Sequence, residues 1–108
     1  MSARLDEALV KEAARRLVSD LGATHVYLFG SRARGDASAD SDYDFFVVVP
    51  SGSGRRLSQA QQAYRSLSGL DFSKDVIVTT REHFERRRRL ASTLEHEVAT
   101  EGLLVHGQ

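Results

Sequence analysis

The chain has 108 residues, with 15 lysines and arginines against 15 aspartates and glutamates, and it contains no cysteine. That length predicts one domain spanning 1–108 with a modest core. A formal charge of zero gives no global reason to wrap nucleic acid or lie on an anionic membrane, and the missing cysteines exclude disulfide frameworks and thiolate metal sites.

Taken in chain order, the start MSARLDEALVKEAARR lacks the apolar stretch of a signal peptide or anchor, and no later run reaches membrane-span length. The simplest expectation is a cytoplasmic protein. Ser2 can cap a first helix running to about Asp20, with Leu5, Ala8, Leu9, Ala13, Leu17 and Leu21 on one stripe, and Gly22 stops it. THVYLFG (24–30) reads as a strand ending at Gly30. SRARGDASADS is a loop that can open with one helical turn. DYDFFVVVP (42–50) is a second strand, and its unbroken apolar run Phe45–Val49 predicts burial on both faces. SGSG is a flexible link too short to separate domains. Residues 55–68 read as a helix with Leu57, Ala60, Tyr64 and Leu67 recurring, KDVIVTT (74–80) as a third strand, and about 81–100 as a last helix. Thr79 with Glu82 makes a capping box for that helix, and LLVH can close the chain as a short strand. The order α-β-β-α-β-α-β predicts an α/β (α+β) architecture, a small mixed sheet packed with helices.

Charge is uneven along this order. Residues 36–44 hold four aspartates, and 81–89 hold five arginines against two glutamates. Because side chains alternate along a strand, Asp42 and Asp44 share a face with α-carbons about 6.5 Å apart, while Tyr43 points into packing. Carboxylates that close repel, and one resists ionisation unless a cation intervenes. A hard divalent ion such as Mg²⁺ suits them, since it takes oxygen ligands and tolerates one or two carboxylates plus phosphate. Asp75, leading the third strand, is a third ligand if that strand lies beside the second, and a third carboxylate lets a site hold two ions that clamp an in-line phosphoryl displacement. The plain alternative is solvated aspartates that discourage edge pairing. An Asp-x-Asp that leads directly into five apolar residues, with another aspartate leading Val-Ile-Val, favours the site.

Rival motifs fail on the same stretch. An EF-hand beginning at Asp40 needs glycine where Phe45 stands and glutamate where Ser51 stands. A P-loop beginning at Gly30 needs Lys-Ser/Thr where Asp36-Ala37 stands, and no G-x-G-x-x-G follows a strand. Gly30-Ser31 does follow one. A glycine there lets backbone amides approach an anion, the Ser31 hydroxyl can donate to a phosphate oxygen, and Arg32 and Arg34 can add positive charge or simply be solvated. Ser31 has no indicated base and no G-x-S-x-G context, which argues against a covalent nucleophile.

The stretch FGSRARGDASADSDYDFFV resembles the signature of the minimal nucleotidyltransferases, the smallest members of the DNA polymerase beta-like superfamily. Their pattern is a hydrophobic residue, Gly-Ser, ten residues, then Asp-x-Asp, which Gly30-Ser31 and Asp42-x-Asp44 match. KDVIVTT supplies the later acidic residue as Asp75, departing from the pattern only in Lys74, where a hydrophobic residue is usual. The tail EGLLVHGQ resembles the Glu-Gly-hydrophobic ending of the single-domain members, so the likeness spans nearly the whole chain.

The resemblance implies transfer of a nucleoside monophosphate, AMP from ATP, with pyrophosphate leaving. It implies that Asp42 and Asp44 hold Mg²⁺ on the triphosphate, that Asp75 helps bind a second ion and activates the attacking hydroxyl, and that Gly30 and Ser31 cradle the terminal phosphates. It also implies a partner, because a core this small has little surface for an acceptor: a HEPN-domain toxin, to which such proteins serve as antitoxin, some by AMPylating it. A binding-only antitoxin that masks this partner is the first alternative. A transferase acting on an aminoglycoside-type small molecule, which would need a homo-oligomer to build its pocket, is the second. Arg86–Arg89 cover a full helical turn beside a buried stripe of Phe84, Ala91, Leu94 and Val98, so at least one arginine lies along its edge, and they read as a solvated face ahead of a docking surface for an acidic partner. No aromatics interleave with them, which leaves RNA binding unsupported. His25, His83, His96 and His106 have no metal-ligand spacing.

Overall fold

The computed structural model describes residues 5–51 and 56–107, with the side chains of 56 and 57 left aside. Four strands form one sheet: β1 (His25–Phe29), β2 (Tyr43–Val49), β3 (Lys74–Thr80) and β4 (Leu103–His106), in the order β3-β2-β1-β4. β1 runs antiparallel to β2 and to β4, whereas β2 and β3 are parallel. That parallel pair needs a crossover, which α3 (Arg56–Ser66) supplies. The mixed α/β sheet expected from the sequence is the fold.

Strand alternation gives the sheet two buried faces. On one, α1 (Glu7–Leu21), α3 and the turn just after it pack Val10, Ala13, Ala14, Leu17, Ala63 and Leu67 against Val26, Leu28, Phe45, Val47, Val49, Val76 and Val78. On the other, Tyr27, Phe46 and Val48 meet Phe84 of α4 (Arg81–Arg87) and Val98 of α5 (Leu94–Glu101). Phe45–Val49 are at most 1 % exposed, so the unbroken run is indeed covered on both sides.

Local signals account for most boundaries. Gly22 ends α1 in the left-handed region (φ 69°), its N–H bonded to Val18 O. The N-cap is Asp6, whose carboxylate accepts from Leu9 N–H at 3.1 Å, while the cap read at Ser2 lies outside the described residues. The buried stripe of α1 centres on Val10, Ala13, Ala14 and Leu17, and Ala8 is exposed. Beyond Ser51, the SGSG link lies outside the described residues, as does the Leu57 side chain.

Three expectations are corrected. The stripe of α3 runs through Gln59, Ala63 and Leu67, spaced four apart, which turns Tyr64 outward to 40 % exposure. The cap after β3 is Thr80, which accepts from His83 N–H at 3.2 Å; Thr79 is a buried strand residue. The single helix expected over 81–100 is two. Arg88 closes α4, the chain turns through Leu90, and Thr93 caps α5 by accepting from His96 N–H at 3.1 Å while its hydroxyl donates to Arg87 O and Leu90 O. The turn leaves Ala91 exposed, though Phe84 and Val98 still face the core. Arg88 lies along that core's edge with its guanidinium 5.1 Å from the Phe84 ring. Among the described residues no helix is long and apolar enough to cross a membrane.

Candidate active site

Register alone brings the sequence-predicted carboxylates to one end of the sheet. β2 and β3 both begin there, and their parallel pairing sets Asp44 directly beside Asp75. Antiparallel pairing sets Phe29, the last residue of β1, opposite the same Asp44. The turn after Phe29 therefore arrives at the carboxylates. Asp44 and Asp75 lie on the α4–α5 face, ahead of Phe46 and Ile77: Asp44 is half-buried, and Asp42 and Asp75 are exposed.

Gly30 makes the turn. Its φ of 75° with ψ −154° is closed to residues with a side chain, and a Cβ there would collide with Asp44 Oδ2. Glycine thus serves twice: it bends the chain, and it admits the carboxylate against the backbone. α2 (Ser31–Arg34) follows at once, with Ala33 and Arg34 N–H both donating to Gly30 O at 3.1 Å. The amides that open a helical turn have no acceptor within it, so they are available to an anion. The Ser31 hydroxyl has no hydrogen-bond partner among the described residues.

Each carboxylate has its own surroundings. Asp44 is held above the usual carboxylate range, first by burial and then by the charges of Asp75 and Asp42, with Arg34 acting in the opposite direction. Asp42 accepts from the Ser73 hydroxyl, and Asp75 Oδ1 accepts from the Tyr64 hydroxyl at 2.8 Å. Among the described residues none of the three is in an ion pair, and the charge of Arg34 offsets the burial and repulsion at Asp44 only in part. Nor, among those residues, do three acidic or histidine side chains converge tightly enough to grip an ion as they stand. Mutually repelling carboxylates with oxygen-only donors, one resisting ionisation, fit a hard divalent cation such as Mg²⁺.

Comparison with known proteins decides the family: the model of the nucleotidyltransferase domain matches residues 9–103. The chain belongs to that family. The nucleotidyltransferase fold is shared with a crystal structure described as a candidate nucleotidyltransferase from Sulfolobus solfataricus, 25 % identical at a TM-score of 0.64, covering 91 % of this chain and 77 % of that one. A crystal structure of a toxin–antitoxin with AMP-PNP is 27 % identical at a TM-score of 0.59, covering 96 % and 75 % respectively. A mutant of the toxin–antitoxin MntA–HpeT, with two aspartates replaced by glutamate, is 24 % identical at 0.55 over the same shares and supports the fold alone. No curated protein matches.

Within this nucleotidyltransferase domain the two loop arginines part company. Arg34 is exposed, 3.2 Å from Asp36, and its charge reaches Asp44. Arg32, read from sequence as a phosphate-binding or solvated cation, is instead turned inward. It is 9 % exposed, donates from Nη2 to Ser41 O at 3.0 Å and lies 4.3 Å from the centre of the Tyr43 ring. These bonds tie Arg32 to the loop that leads to Asp42. Sequence reasoning missed Ser73 and Tyr64, the hydroxyls that touch the outer carboxylates. Ser73 sits two residues before Asp75, a spacing that could have marked it, whereas Tyr64 has the spacing of an apolar stripe, which hides its hydroxyl.

Proposed function

We propose that this single domain is a Mg²⁺-dependent cytoplasmic enzyme that transfers a nucleoside monophosphate, AMP from ATP, to a hydroxyl of a partner protein, and that the partner is a HEPN-type toxin neutralised by the transfer. The observation that carries this reading is the register: Asp44 beside Asp75, with the Gly30–Ser31 turn built directly onto Asp44. Membership of the nucleotidyltransferase family supports the chemistry, since these domains typically use a nucleoside triphosphate with a divalent metal. The toxin–antitoxin described with AMP-PNP supports both the nucleotide and a protein acceptor.

In this reading Asp42, Asp44 and Asp75 hold two ions, which when bound neutralise the triphosphate and stabilise the charge of the displacement. The opening amides of α2 and the Ser31 hydroxyl bind the terminal phosphates, and Arg34 adds charge at the mouth. Asp75 Oδ2, the oxygen that Tyr64 does not touch, faces the acceptor hydroxyl and draws off its proton. A bond forms between the acceptor oxygen and the α-phosphorus, the bond from that phosphorus to the β-phosphate bridge breaks, and pyrophosphate departs.

The test is transfer of label from α-labelled ATP to a co-expressed partner. Asp42→Ala with Asp44→Ala is expected to abolish transfer and neutralisation together. The toxin–antitoxin resemblance also admits a second reading, in which the chain only masks its partner. Full neutralisation by the double variant would establish masking and overturn catalysis.

A further inference from the structure

Tyr64 is given no part in the chemistry of the reading above, yet its hydroxyl is tied to the site from both sides. It donates to Asp75 Oδ1 at 2.8 Å and accepts from Val76 N–H at 3.0 Å. The second bond is informative. β3 is the edge strand of the described sheet, so an amide on its outer side has no strand partner among the described residues, and Tyr64 reaches around that edge from α3 to take it. The phenol oxygen is thereby fixed by the backbone of the residue next to Asp75, and the carboxylate is fixed in turn by the phenol.

Among the described residues the Asp75 carboxylate has no other hydrogen bond and no ion pair. Asp75 is exposed and lies beside half-buried Asp44, whose charge repels it. An exposed carboxylate beside another would swing toward solvent unless something neutral held it. A hydroxyl that donates to one oxygen holds it without cancelling its charge, and leaves the second oxygen for other work. Arginine or lysine at this position would neutralise the group instead. Tyrosine also reaches far from a small Cα footprint, which lets a helix packed on one sheet face serve a carboxylate on the other.

We infer that Tyr64 is a positioning residue for the transfer reaction, acting through Asp75; this rests on the functional reading above. The bland reading is that the phenol only satisfies an edge amide and stabilises β3. The two part in kinetics.

Label transfer to the partner is measured for wild type, Tyr64→Phe, Asp75→Asn and the double variant, with thermal unfolding of each and amide hydrogen exchange at Val76. Tyr64→Phe keeps the ring and removes both bonds. The expected result is a fall in kcat on the order of tenfold, the size typical when a group that orients an active-site ligand is lost, with KM for ATP within about twofold of wild type. Val76 exchange quickens, and the fall in kcat disappears when Asp75 is already asparagine, because Tyr64 then has no carboxylate to hold. If Asp75→Asn alone leaves too little rate to measure, the split between kcat and KM in Tyr64→Phe decides. Unchanged kcat with quickened Val76 exchange would overturn the inference and leave a structural cap, as would a KM effect alone. Label appearing on Tyr64 itself would also overturn it, making the phenol an acceptor. A wild type that transfers nothing, while binding and neutralising its partner, would sink the functional reading itself and this inference with it.

Discussion

Asp44 is the residue where folding and the proposed function pull against each other. It sits half-buried beside two other carboxylates, and its ionised form is disfavoured in the folded protein. The sign of the consequence follows from linkage. A carboxyl group raised above its unfolded value of 3.8 binds its proton more tightly when folded, so its contribution is fully favourable below that value and is lost as pH rises through the folded value. At neutral pH the charge therefore destabilises the chain. Asp44→Asn is expected to unfold at a higher temperature than wild type at pH 7, with the gap closing in acid, and to lose nucleotidyl transfer. Added Mg²⁺ should raise the wild-type unfolding temperature more than that of the variant, because only the wild type gains by binding it. Thermal scans across pH with and without Mg²⁺ check all three. A wild type more stable than Asp44→Asn at neutral pH would show that the site is internally compensated. At this scale the sequence was a good guide to chemistry and a poor one to neighbours. Asp-x-Asp and Gly-Ser were legible because strand alternation and a positive φ follow from residue type. The inward turn of Arg32 was not, since it depends on two loop carbonyls and the Tyr43 ring meeting at a point only the folded loop defines.

Among the elements, the second half of the chain departs most from its apolar pattern. Phe84 and Val98 both face the core, and a single helix from one to the other fits their spacing as well as the observed pair does. What breaks it is polar: Thr93 takes its hydroxyl to Arg87 O and Leu90 O and offers its oxygen to His96 N–H, so the chain can turn without stranding those groups. Ser-Thr ahead of Leu-Glu-His-Glu carries that signal, but the apolar spacing on either side of it is that of one continuous helix. Thr93→Ala is expected to lose about 0.5–2 kcal/mol of stability, the range for an N-cap, seen as a lower denaturant midpoint at unchanged m. Label transfer should persist, since α5 supports the sheet beneath Phe46 and carries none of the three carboxylates. A change below about 0.3 kcal/mol would mean that the capping geometry contributes little to holding α5.

For the molecule as a whole, the fold was legible because both periodicities agreed with it: alternation or unbroken apolar runs in the strands, and four-residue spacing in α1. The parallel pairing of β2 and β3 is a long-range fact the sequence left open, as it did the strand order β3-β2-β1-β4, and the proposed site depends on it. Had β3 paired one residue out of register, Asp75 would face the α1–α3 core rather than Asp44. The central claim is thus geometric, that three acidic side chains and one glycine turn meet at a single end of the sheet to hold a metal–nucleotide pair. Its most direct measurement is a crystal structure of the chain with Mn²⁺ and a non-hydrolysable ATP analogue. The account predicts anomalous peaks within about 2.0–2.3 Å of carboxylate oxygens of Asp42, Asp44 and Asp75, with the terminal phosphates on the Ser31 turn. A nucleotide bound elsewhere, or no ion between these three side chains at saturating Mn²⁺, would contradict it.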